Sequence, residues 1–86
     1  MTRQEFFKIK VGYWFINKLL GFEGVVKQIT YTPADKFVFD KKTRSFVGKR
    51  IYIRELYILT TFGDVRICSL ENADLGSCYY KKGKFM

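Results

Sequence analysis

Six runs of strand-favouring residues follow one another at intervals near ten, and no segment carries apolar residues at the 3.6 spacing of a long helix. The runs are 13–16, 23–32, two arms around a polar turn at 40–44 of which the second continues as the longest strand (50–61), then 65–70 and 77–81. A chain made of strands has to dispose of its sheet edges, and closing the sheet removes them all. The pattern therefore predicts one mainly β domain over 1–86, a closed or nearly closed antiparallel barrel. At 86 residues such a chain hides only about 60 to 65% of its unfolded surface, so the core has to be dense. The 48% of hydrophobic and 19% of aromatic residues can supply it, and Phe6, Phe7, Trp14, Phe15, Phe22, Phe37, Phe39 and Phe62 are accordingly assigned to the interior.

Local signals refine this outline. The Thr2-x-x-Glu5 spacing is that of a capping box and predicts a short N-terminal helical turn, which Val11-Gly12 ends. Gly24, at the head of the second strand, marks a bulge or the close approach of another backbone. Pro33-Ala34-Asp35 reads as a turn ending that strand. In the longest strand Leu56, Ile58 and Phe62 share one face, while Tyr57, Leu59 and Thr61 share the other. A turn at Phe62-Gly63-Asp64 leads into 65–70, with Val65 and Ile67 expected inward and Arg66 exposed. Glu71 to Leu75 reads as a single helical or 3₁₀ turn, and 82–86 as a flexible basic tail.

Charge is the second strong feature. Sixteen Lys and Arg against eight acids leave a net charge of +8, a field that attracts polyanions. The stretch from Lys36 to Arg54 holds seven of those cations against one acid, Asp40. Its β-rich arms flank a polar turn, which makes it a basic hairpin with aromatic walls. Lys36, Lys41, Lys42, Arg44, Lys49, Arg50 and Arg54 are the candidate phosphate-binding residues. Alternation sets Arg50, Tyr52 and Arg54 on one face, with Tyr52 a candidate stacking residue or, equally, a cation-π partner of its own arginines.

Catalytic patterns are missing. Without histidine there is no Ser-His, Cys-His or imidazole acid-base scheme, so the expectation is a protein that is not an enzyme and holds no cofactor. Two cysteines cannot complete a four-ligand metal site; Cys68 and Cys78 read as reduced, core-filling thiols in a cytoplasmic protein, the alternative being a disulfide between them across adjacent strands. No apolar run approaches the ~18 residues of a membrane helix.

Residues 11–30, VGYWFINKLLGFEGVVKQIT, resemble the KOW motif of ribosomal proteins and transcription elongation factors. Gly12, Gly21, Gly24 and Val26 stand at the motif's turn and strand-start positions and Ile29 at a later apolar one, while Tyr13 replaces the Asp usual after the first glycine. The resemblance implies an SH3-like barrel whose loop Lys18, Leu19, Leu20 and Gly21 contacts nucleic acid or a partner in a transcription or translation complex. The expected function is a small basic nucleic-acid-binding module, for DNA or RNA, gripping phosphates through the hairpin. The alternative is a protein-binding modulator that docks on an acidic partner surface, of the kind phages and mobile elements use to redirect a host machine.

Overall fold

The computed structural model describes residues Met1–Met86. One antiparallel sheet of five strands organises the chain, in the spatial order β4-β3-β2-β1-β5. The strands are β1 (Trp14–Asn17), β2 (Phe22–Asp40), β3 (Ser45–Thr60), β4 (Val65–Cys68) and β5 (Cys78–Lys81). The mainly β expectation and the antiparallel pairing hold. The sheet is not closed into a barrel: β4 and β5 are its two free edges. Each of these strands has four residues, so β2 beyond Val26 and β3 before Leu56 extend past them with their outer edges unpaired.

Closure is replaced by a lid over one face. The capping box forms, with Thr2 Oγ1 accepting from the Glu5 amide and Glu5 Oε1 from the Thr2 amide, and it starts helix α1 (Arg3–Phe6). Phe6 and Ile9 from this segment are fully buried against Phe15, Phe22, Val26, Leu56, Ile58, Cys68 and Cys78. Leu70, Ala73 and Leu75, on the connection from β4 to β5, pack on the same cluster. The 3₁₀ turn of that connection falls at Leu75–Ser77, a few residues later than expected. The end of the chain also folds back: the Phe85 amide donates to the Gly12 carbonyl at 2.8 Å, and the Phe85 ring meets Trp14 edge-on at 5.8 Å.

Pro33-Ala34-Asp35 is not a turn. β2 runs straight through it, with Pro33 opposite Tyr52 and Ala34 opposite Ile51. The reason lies in the pairing of β1, which reaches only Phe22–Val25. Beyond that point β2 has a neighbour on one side only, and a residue without an N–H breaks no ladder bond when its nitrogen faces the open side. The result is a two-stranded ribbon that leaves the body. Its tip is the turn Lys41–Arg44, where Asp40 Oδ1 accepts from the Lys42 amide and Arg44 adopts a left-handed φ of 54°. The eight steps from Thr32 to Asp40 alone span about 26 Å at ~3.3 Å per residue. The molecule measures 49 × 22 × 21 Å, with a radius of gyration of 15.5 Å where a compact chain of this length has about 12 Å.

A register shift between Val26 and Gln28 places one extra residue, Lys27, in β2 at the junction of body and ribbon. Gly24 has the other role expected of it. A β-carbon there would lie 2.0 Å from the Leu59 carbonyl oxygen and 2.7 Å from the Thr60 Cα, so β2 and β3 approach too closely for any side chain.

In β4 Arg66 is exposed as expected, but Val65 and Ile67 are not inward. Arg66 is opposite Ile58 and Cys68 opposite Leu56, so Arg66 shares the core-side face and its guanidinium lies 5.5 Å from the Phe22 ring centre. Val65 and Ile67 face outward with Tyr57 and Leu59. Asp64 anchors Arg66 by accepting from its Nε at 2.8 Å, and it accepts from the Thr60 hydroxyl as well. These bonds hold the Asp64 carboxyl below its usual range.

Candidate nucleic-acid interface

Registration across the ribbon sorts its side chains onto two faces. In an antiparallel pair, residues directly opposite point to the same side. One face, continuous with the core side of the sheet, carries Tyr31 and Arg54, Pro33 and Tyr52, Asp35 and Arg50, Phe37 and Gly48, then Phe39 and Phe46. The other carries Ala34 and Ile51, Lys36 and Lys49, Val38 and Val47. The alternation of Arg50, Tyr52 and Arg54 read from sequence is the one observed.

The seven cations do not form one cluster. Lys41, Lys42 and Arg44 are exposed at the tip. Lys36 and Lys49 are directly opposite each other on the second face. Arg50 lies on the aromatic face, with its Nε 3.7 Å from Asp35 Oδ1, a solvated pair that stabilises by at most about 1 kcal/mol. The other five have no carboxylate within ion-pair distance.

Arg54 is a correction. It is 7% exposed, and its guanidinium donates to the Phe6 carbonyl from Nη1 and to the Ile9 carbonyl from Nη2, each at 2.5 Å, and to the Tyr31 hydroxyl from Nε at 3.2 Å. The Ile9 carbonyl lies beyond α1 and has no backbone partner of its own, while the Phe6 carbonyl, in the last turn, otherwise accepts only from the Ile9 amide at 3.3 Å. Arg54 therefore fastens the N-terminal segment to the root of the ribbon: three of its five N–H donors are committed and the group is buried, so it is not presented to a phosphate in the open. Phe7 and Phe6 flank its guanidinium at 6.0 and 5.8 Å.

Four phenylalanines assigned to the core are on the surface. Phe37 is 70%, Phe39 50% and Phe62 73% exposed, and Phe7 is nearly half exposed. Phe37 and Phe39 join Phe46 and Tyr52, 72% and 66% exposed, in a row along one face of the ribbon. Phe39 meets Phe46 edge-on across the strands at 5.4 Å. The Phe37 ring lies across Gly48, in ordinary contact with the place a β-carbon would take. At its root the row runs into a cleft lined by Arg3, Phe7, Lys36, Tyr52 and Arg54. The sequence signal for this row was the period-two spacing of Phe37 and Phe39 opposite a glycine. It was outweighed by the expectation that so short a chain buries its rings.

The loop Lys18, Leu19, Leu20 and Gly21 lies at the other end of the molecule, immediately before β2 begins, so it is not part of the ribbon surface. Its geometry is fixed by Asn17, which accepts from the Leu20 amide through Oδ1 and from the Gly21 amide through its carbonyl. Leu19 and Leu20 are exposed, and Lys18 Nζ sits 4.9 Å from the Tyr79 ring centre.

No group of three or more His, Cys, Asp or Glu side chains is placed to hold a metal ion, and no helix is long and apolar enough to cross a membrane. Cys68 and Cys78 are free thiols, both buried. Burial pushes the Cys68 thiol up to about 12, with the neighbouring Cys78 adding to the rise, and burial also raises Cys78. A raised folded-state value means stability that is complete below the unfolded thiol's pKa near 9 and is lost as pH climbs toward 12. Urea unfolding is expected to show stability falling over that window, with a shallower fall in Cys68→Ala; identical slopes would remove the thiol as the cause. Comparison with family models, with curated proteins and with solved structures found no match for this chain.

Proposed function

We propose that the chain is a non-enzymatic nucleic-acid-binding module, working in a transcription or translation setting, whose projecting ribbon holds phosphates. The observation that carries this reading is Lys36 directly opposite Lys49 with no carboxylate within ion-pair distance of either. Like charges facing each other across a pair of strands destabilise it, and an anion brought to the ribbon relieves that cost. Lys41, Lys42 and Arg44 crowd three more charges onto a four-residue turn held away from the body, where a polyanion meets them before anything else. Lys36, Lys41, Lys42, Arg44, Lys49 and Arg50 are then the phosphate contacts, and Arg54 leaves the set.

Substituting Lys41, Lys42 and Arg44 together with Ala is expected to lower polynucleotide affinity and flatten its dependence on salt by up to three phosphates' worth, about 0.9 per phosphate on duplex DNA in a log-log plot. The melting temperature is expected to stay unchanged, because all three side chains are exposed. Unchanged binding with an unchanged slope would take the tip out of the interface.

A second reading, docking on an acidic protein surface, is favoured by Val38 and Val47, 44% and 48% exposed, which set an apolar patch beside Lys36 and Lys49 on the second ribbon face. The same titrations separate the two, since a protein-directed ribbon leaves the purified chain inert toward polynucleotides at low salt.

A further inference from the structure

We infer that the ribbon takes a single-stranded polynucleotide in preference to a duplex, with unpaired bases stacking on the face that carries Phe37, Phe39, Phe46 and Tyr52. This rests on the phosphate-binding reading above and specifies the class of strand. Half of it follows from what the ribbon needs for its own stability. Two strands alone in water require cross-strand pairs, and Val38 with Val47 and Phe39 with Phe46 supply them. Phe37 and Tyr52 go beyond that need. Phe37 is opposite Gly48 and Tyr52 opposite Pro33, so neither has a large facing partner to shield it, and they stay 70% and 66% exposed. A phenylalanine laid over a glycine keeps its outer π-face free.

The spacing suits an extended strand. Phe37 and Phe39 are two residues apart on one strand, which sets their attachment points about 6.6 Å apart, room for one base beside each ring. Stacking tolerates any base, because every base has a π-face. In a duplex those faces are already covered by neighbouring base pairs, so the aromatic row has nothing to hold. The charge is placed to match: Arg50 lies on the aromatic face, the tip cations close its outer end, and the ribbon is only ~4.8 Å from strand to strand, so Lys36 and Lys49 on the far face can reach round its edges to a backbone.

The experiment compares a 20-nucleotide thymidine oligomer with a 20-base-pair duplex of mixed sequence, by fluorescence anisotropy at low salt. The wild-type chain is expected to bind the oligomer at least tenfold more tightly. Phe37→Leu combined with Tyr52→Leu keeps apolar bulk while removing both π-faces, and is expected to weaken oligomer binding by about tenfold while leaving duplex binding and the melting temperature unchanged. Equal affinity for both ligands, with the salt slope retained, would overturn the single-strand inference and leave the phosphate reading standing. A double variant that binds the oligomer as well as the wild type does would likewise overturn it. Binding to neither ligand at low salt would remove both.

Discussion

Replacing Arg54 with Met is expected to destabilise the fold by about 3 kcal/mol, enough to lower the melting temperature by roughly 12–24 °C in a domain of this size. Methionine matches the apolar stem of the arginine but donates nothing. The Ile9 carbonyl would then be left without its partner, and the Phe6 carbonyl would keep only the longer 3.3 Å bond from the Ile9 amide; an unsatisfied buried acceptor costs about 1–3 kcal/mol and a lost hydrogen bond to a charged donor about 1.5–3 kcal/mol. Arg54→Lys should fall between, since one ammonium cannot span both carbonyls as a planar guanidinium does. The outcome decides between two roles for this residue. A phosphate contact would lose affinity at constant stability, whereas a fastener loses stability first. A Met variant that melts within a few degrees of the wild type would show that the N-terminal segment is held by other means.

Gly24→Ala is expected to be at least as damaging, costing more than the ~1–3 kcal/mol usual for overpacking. The added methyl would meet backbone, the Leu59 carbonyl carbon at 2.6 Å and its oxygen closer still. No side-chain rotation relieves that contact, so β2 and β3 must part beside the buried Val25 and Val26. Gly48→Ala is the matched control. There the nearest atom is on the Phe37 ring at 3.7 Å, an ordinary van der Waals distance, and the change should stay within about 0.5 kcal/mol. If the two variants melt alike, the close approach at Gly24 is not what fixes the strands there.

Both positions show what could be read before the structure was seen. Gly24 was legible because a glycine heading a strand has few reasons to be there, and close backbone approach is one of them. The capping box at Thr2 and Glu5 was legible because it depends on four residues and nothing distant. Arg54 was half legible: it is in phase with Leu56 and Ile58, the buried face of β3, but its charge argued for the surface. Its true partners are carbonyls some 45 residues away, and nothing in the local sequence names them. Pro33 misled for a similar reason. A proline ends a strand that has neighbours on both sides, and whether β2 has one or two there depends on how far β1 pairs. The barrel failed on the same kind of information, since the lid formed by α1 and the 69–77 connection covers the core that closure would otherwise have had to enclose.

The unbroken run of β2 and β3 from body to tip gives one pair of strands two thermodynamic regimes. Near Val26, Leu56 and Ile58 an amide can exchange with solvent only when the whole domain opens, while past Tyr52 fraying of the turn is enough. Deuterium uptake should therefore form a gradient along each strand, slow at one end and fast at the other. Substitutions in the fast end draw little on the reserve that keeps the molecule folded, which leaves the projecting half of the arm free to diversify while the half inside the body stays fixed.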